Sequence, residues 1–167
     1  MSRIQPVEQE AAEGEARTAF VEGIARWGRL TNMKRTLLHS PPSYRVLMEW
    51  YTLFDEVKPF LGERLAIVFA HAISSESECP ICTTYMRRIL MAGGEDPDAL
   101  ALVAFGKCFA RHGNRVPDDV YAQVKQHFDD AQIVALTAFG AMMVATNIIN
   151  NVLDVELDEY LYEYRAE

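Results

Sequence analysis

No charged residue occurs between Gln132 and Leu153. A stretch of that length must be covered, either by lipid or by the rest of the chain. It is rich in alanine and carries Gln132, Thr137, Thr146, Asn147, Asn150 and Asn151. That is too polar for a convincing membrane span. The stretch therefore predicts the buried central helix of an all-α protein, started by Asp129-Asp130 and running to about Val152, and no membrane partner is expected.

The rest of the chain is punctuated as shorter helices around it. Ala16 to Trp27 places Phe20, Ile24 and Trp27 on one face and ends near Gly28. Asn32 opens a short helix to Leu38. Ser40-Pro41-Pro42-Ser43 is a break, and Ser43 is a candidate cap for a helix carrying Val46, Leu47, Trp50, Tyr51 and Phe54, ended by Pro59 and Gly62. Glu63 to Ile73 is apolar on one side. A polar connection, Ser74 to Glu78, leads into a helix that stops at Gly93-Gly94. Asp96-Pro97-Asp98 then caps a helix running to about Arg111, stopped by Gly113. Pro117-Asp118-Asp119 starts another, ending near Phe128, and Glu156 to Tyr164 forms a short last helix. No period-two alternation flanked by hairpin turns is present. The expected architecture is a single helical domain of about eight helices over residues 15–167, with residues 1–14 loosely ordered.

The chemistry concentrates in Cys79-Pro80-Ile81-Cys82. Proline suits the first position of a helix, because it lacks the N–H that goes unused there and its φ is already helical. Cys79 is thus read as the N-cap, Pro80 as the first helical residue and Cys82 as the third. Both sulfurs then face the positive end of a helix, where N–H groups and the dipole stabilise a thiolate. Glu76 and Glu78 oppose this, so a moderate depression of the thiol pKa is expected. The spacing also permits a reversible intramolecular disulfide.

Bulk properties narrow the partners. The chain has 167 residues and a net charge of −8, which argues against nucleic acid and anionic membrane. Its N-terminus has no apolar signal core. The expected compartment is the cytoplasm, where three cysteines do not make a disulfide framework and a C-x-x-C reads as catalytic or metal-binding.

These residues carry a resemblance. Glu63 to Ser74, followed by Cys79-Pro80-Ile81-Cys82 and Gly93-Gly94, resembles the core of the carboxymuconolactone decarboxylase superfamily, in its alkylhydroperoxidase D-like branch. The flanks Asn32 to Pro41, Phe128 to Thr137 and Thr146-Asn147 agree, so the similarity runs over roughly residues 30 to 152. The resemblance implies an all-α fold, homo-oligomers and thiol-dependent reduction of organic hydroperoxides. In active members of the family a glutamate, two cysteines and a histidine form the site. The second cysteine attacks the peroxide, the first resolves it, and the glutamate and histidine move protons. Cys82 and Cys79 match the two cysteines. The histidine position is Met86 and the glutamate position is Ile67, so the thiols are kept and the family's proton relay is not.

A substitute relay is available on paper. His71 lies one helical turn after Ile67 and Glu63 one turn before it, on the same face. Tyr85 is a candidate donor beside Cys82. The bland readings are a buried histidine bonded to a carbonyl and a core tyrosine. Arg87 and Arg88 read as a solvated face or an intersubunit ion pair. The rival chemistry is a Cys₃His zinc set of Cys79, Cys82, Cys108 and His112, against which Cys108 fits an apolar face beside Ala104 and Phe105.

Three functions follow: a thiol peroxidase with no cofactor, taking a small peroxide and an external thiol or dithiol reductant; a non-catalytic oligomer with a vestigial or redox-sensing pair; and a zinc-stabilised domain. Ala131, Ala135, Ala138, Ala141 and Ala145 draw a small-residue stripe suited to a homo-oligomer contact.

Overall fold

Proline, glycine and acidic caps divide the described residues into helices. The structure, a computed structural model, describes residues 2–91 and 99–165, without the side chains of Ala99, Leu100 and His112. Among the described residues there are nine α-helices and no strand: α1 (Gly14–Trp27), α2 (Asn32–Leu37), α3 (Pro41–Trp50), α4 (Thr52–Leu61), α5 (Glu63–Glu76), α6 (Pro80–Leu90), α7 (Ala99–Ala110), α8 (Asp118–Lys125) and α9 (Asp130–Leu153). The last helix expected from the sequence is a 3₁₀ turn, Glu159–Tyr164. The expected stop at Gly93-Gly94 and the cap at Asp96-Pro97-Asp98 lie outside the described residues.

Caps explain most boundaries. Gly28 takes a left-handed φ of 75° and returns its N–H to the Ile24 carbonyl, closing α1. Asp129 and Gln132 form a reciprocal capping box at the start of α9. Two boundaries differ from the sequence reading. The N-cap of α3 is Ser40 rather than Ser43, because Pro41 supplies the preset first turn. The single helix expected from Ser43 to Pro59 is broken at Tyr51 into α3 and α4. Pro59 then lies inside the last turn of α4, and Gly62, at φ 77°, ends it.

The N-terminal residues expected to be loose make defined contacts. Arg3 N–H donates to the Leu153 carbonyl and Val7 N–H to that of Arg35. Ser2 is buried, and its hydroxyl accepts the N–H of Glu156. The segment thus joins α2 to the end of α9.

Two apolar clusters hold the bundle. The larger joins α4, α5, α7 and α9 around Phe69, Phe105, Leu136, Phe139 and Met142. Phe69 stacks on Phe105 at 5.8 Å and meets Phe109 edge-on at 5.7 Å. Two glycines let the helices approach this closely. A Cβ at Gly106 would stand 3.0 Å from the Phe69 carbonyl, and one at Gly140 only 2.6 Å from the Phe109 ring. The smaller cluster packs α1, α2 and α3 through Phe20, Met33, Leu38 and Leu47.

α9 is the one helix among the described residues long and apolar enough to cross a membrane. Here it is the core helix: Ile133, Leu136, Phe139, Met142, Met143, Asn147 and Asn150 are buried inside the fold. Gly140, Met142 and Met143 are likewise buried within the chain. The alanine stripe itself is half-exposed at Ala135, Ala138 and Ala145 and exposed at Ala131 and Ala141.

Candidate active site

The end of α5 and the start of α6 are set against the C-terminal half of α9 by asparagines. Asn147, Asn150 and Asn151 share one face of α9, since residues three and four apart lie together on a helix. Asn147 accepts the Ser74 hydroxyl at 3.2 Å and donates to the Ser77 hydroxyl at 3.1 Å. Asn151 donates to the Ser77 carbonyl at 2.9 Å. The turn they hold is tight: Glu78 sits at φ 50°, and Cys79 N–H bonds the Ser74 carbonyl at 3.1 Å.

Cys79 is the N-cap of α6 and Pro80 its first residue, as the sequence predicts, so Cys82 occupies the third position. Both thiols are free. The Asn150 amide lies between them, donating to the Cys82 sulfur at 3.2 Å with the Cys79 sulfur at 3.9 Å. Cys79 is fully enclosed, whereas Cys82 keeps 6 % of its surface.

The pair titrates as a unit. The hydrogen bond from Cys82 brings the Cys79 thiol down to about 7, against burial, and the Asn150 amide and the N–H dipoles of Cys82 and Ile81 assist. Cys82 is pushed well above the ordinary thiol value, first by the same hydrogen bond, then by burial and the charge on Cys79. Near neutrality one proton is therefore held between two sulfurs. Passing it along that bond to Cys79 leaves the thiolate on the sulfur that has access to a substrate.

That access is a cavity of about 140 Å³ whose wall includes Cys82, Tyr51, Tyr85, Met86, Met143 and Thr146. By volume it suits about one benzene-sized ring. Tyr51 is held protonated: burial, then the neighbouring Cys82 and Tyr85, raise its pKa. Lys34 and Asp158 also reach this wall.

Of the residues singled out from the sequence, Cys79, Cys82 and Tyr85 are brought together. Met86 lies in the cavity wall at the family's histidine position, and Ile67, at the glutamate position, is in the core. His71 and Glu63 do not line the cavity. His71 faces the Ser75 hydroxyl on its own helix at 3.4 Å, and burial and Arg87 lower its pKa. Glu63 is largely exposed and pairs with Lys58 at 3.9 Å. Cys108 stays within α7, its thiol donating to the Ala104 carbonyl at 3.3 Å. Among the described residues no three metal-ligating side chains come together, which separates Cys108 from the pair; the side chain of His112 lies outside them.

Sequence reasoning missed Asn150, Tyr51 and Lys34. Asparagines at spacings of three and four in an uncharged helix were the available signal for the first. No local signal marks the other two.

No protein-family model matches the sequence, and no curated protein matches it. Solved structures do. The debrominase Bmp8 matches with a TM-score of 0.77 at 14 % identity over 96 % of this chain and 95 % of its own. A cysteine-to-alanine variant of Bmp8 in complex with 2,3,4-tribromopyrrole matches with a TM-score of 0.79 at 13 % identity, covering 96 % and 94 %. The alkylhydroperoxidase AhpD core of an uncharacterized peroxidase-related protein from Ralstonia eutropha JMP134 matches with a TM-score of 0.70 at 18 % identity, again over 96 % and 94 %. The fold is the all-helical alkylhydroperoxidase D-like one that the sequence resemblance implied.

Proposed function

We propose that the chain is a thiol oxidoreductase that reduces organic hydroperoxides, with Cys82 as nucleophile and Cys79 as resolving thiol. The observation that carries this reading is the division of labour between the sulfurs: Cys82 borders a ring-sized cavity, and Cys79 is enclosed behind it on the same amide. The Cys82 thiolate attacks the distal peroxide oxygen, breaking the O–O bond. The alkoxide leaves and takes up a proton, and Cys82 becomes a sulfenic acid. Cys79 displaces its hydroxyl, giving a disulfide and water. The two thiol protons leave with the alcohol and the water, so the balance closes without the family's histidine and glutamate. Tyr85 and Tyr51 are the hydroxyls at hand for the leaving oxygen. An external thiol or dithiol restores the pair.

The test is consumption of cumene hydroperoxide by the reduced protein, with mass spectrometry of the product. The oxidised pair should be linked within one chain, and Cys79→Ser should stop at the sulfenic acid of Cys82. A Cys82→Ser protein that consumes peroxide at the parent rate would sink the reading. A parent protein with unreactive thiols would leave the non-catalytic, redox-sensing oligomer.

A second reading has its own observation. Two of the matching structures are of a debrominase, one of them holding a brominated five-membered ring. The present cavity suits one ring. Replacing a ring halogen by hydrogen takes the same two electrons and one proton, yielding halide and the same disulfide, with the second thiol proton released to solvent. Bromide release from a brominated pyrrole would favour it over peroxide reduction.

The protein is also proposed to be a homo-oligomer joined through the exposed face of α9, where Val134, Ile148 and Val152 stand beside the alanine stripe. Ala138→Leu would then overpack the contact by ~1–3 kcal/mol. Light scattering giving the monomer mass of 18.9 kDa would overturn this.

A further inference from the structure

Outside the cavity at Cys82 lies a surface hollow of about 450 Å³, and the two share Thr31, Lys34 and Tyr85. The hollow thus adjoins the cavity of the reacting thiol. Its rim carries Arg29 and Arg88, and Lys34 lines both hollow and cavity. This is a concentration of cations in a chain of net charge −8.

Aromatic rings hold these cations in place. The Lys34 ammonium lies 3.6 Å from the centre of the Trp27 ring and 5.4 Å from that of Tyr51. The Arg29 guanidinium is 4.6 Å from the Tyr160 ring, and that of Arg88 is 5.6 Å from both Tyr85 and Tyr160. Among the described residues no carboxylate comes within 4.0 Å of any of the three.

Two carboxylates are nearby. Glu163 lies on the rim. Asp158 lies in the inner wall, where burial raises its pKa; its Oδ1 accepts the Asn32 N–H at 2.9 Å, and Arg35 and Arg29 partly offset the burial. Lys34 has no such compensation. Burial, then repulsion by Arg26, brings its pKa down to about 8. Its charge is thus desolvated without an anion beside it, in a cavity walled chiefly by apolar side chains. An anionic ligand recovers that cost, and the planar fork of Arg88 matches a carboxylate at the entrance.

We infer that the site takes small organic carboxylates, drawn in past Arg88 and seated with the carboxylate on Lys34 and the reducible group at Cys82. This rests on the reading of Cys82 as the reacting thiol, and the experiment separates the two. Iodoacetate and iodoacetamide are nearly isosteric alkylating agents that differ by one negative charge. The reduced full-length protein is treated with each at pH 7, where Lys34 keeps its proton, and labelling of Cys82 is followed by mass spectrometry.

The rate ratio of iodoacetate to iodoacetamide should exceed that of free cysteine about tenfold, since a cationic cleft concentrates anions by roughly 10–10³. In a Lys34→Gln, Arg88→Gln double variant the ratio should fall to near the free-cysteine value. High salt should lower it in the parent protein, which keeps the test decisive if the double variant does not fold. A parent ratio no greater than that of free cysteine overturns the inference and leaves the thiol reading intact. A raised ratio that ignores salt or survives the double substitution overturns it too. Failure of both reagents to reach Cys82 removes the thiol reading and the inference together.

Discussion

Cys82 and Cys108 are buried almost equally, at 6 % and 2 % exposure, yet they sit in opposite chemical settings. Cys108 lies within α7, its thiol given to the carbonyl of Ala104 one turn back, among apolar neighbours. Cys82 lies in the first turn of α6, beside a second sulfur and an amide donor, with a cavity in front. Burial alone does not make a thiol inert. What separates the two is the sign of the nearest dipole: a carbonyl at Cys108, N–H groups at the pair.

The largest expected effect tests that contrast directly. Cys82→Ser should reduce peroxide consumption at least about a thousandfold, because the nucleophile is removed. Cys108→Ala should leave the rate unchanged and cost on the order of 1 kcal/mol in a urea melt, as a small core truncation. Equal losses of activity in both variants would erase the comparison.

A smaller effect sharpens it. Asn150→Leu removes the amide that serves both sulfurs. Hydrogen bonds to charged groups contribute about 1.5–3 kcal/mol, so labelling of Cys82 by iodoacetamide at pH 7 should slow roughly ten- to a hundredfold. The sign of the pH profile follows from the lowered first ionisation. Below about 7 both thiols hold their protons and labelling is slow; above it the pair carries one charge, centred on Cys79, and labelling of Cys82 rises with the share of that charge passed to it. In the variant the midpoint should move upward, toward the ordinary thiol value. A profile that rises only near 9 in the parent would show that the pair does not share its proton.

The smallest effect lies on the core side. Gly140→Ala places a Cβ 2.6 Å from the Phe109 ring and should destabilise the fold by ~1–3 kcal/mol, read from the shift of the urea midpoint. Labelling of Cys82 should be unaffected in the folded variant, since neither Gly140 nor Phe109 lines the cavity at Cys82. Loss of thiol reactivity there would mean the two regions are coupled through α9.

The helix starts were legible because capping is local. Cys79-Pro80 and Asp129-Asp130 start helices and Gly28 ends one, each acting within four residues and each standing where the sequence puts it. Where two local signals competed, as Ser40 and Ser43 did around Pro41-Pro42, the wrong serine was read as the cap. The cysteine pair was legible for the same reason: a turn of helix sets its spacing and its dipole. His71 was an inference of another kind. It assumed that His71 meets α6 beside Cys82; His71 instead faces Ser75 on its own helix and lies near Arg87, more than a turn along α6 from Cys82.

The sequence by itself determined an all-helical chain with one buried central helix and two thiols at a helix start, because propensity, caps and periodicity act over a few residues. Only the tertiary structure decided that Asn150, 68 residues beyond Cys82, serves both sulfurs, and that Lys34, Tyr51 and Tyr85 meet at one cavity. Those juxtapositions depend on how helices cross. Crossing is set by the summed fit of many side chains, such as the Phe69–Phe109 and Gly140–Phe109 contacts, which no single local pattern encodes.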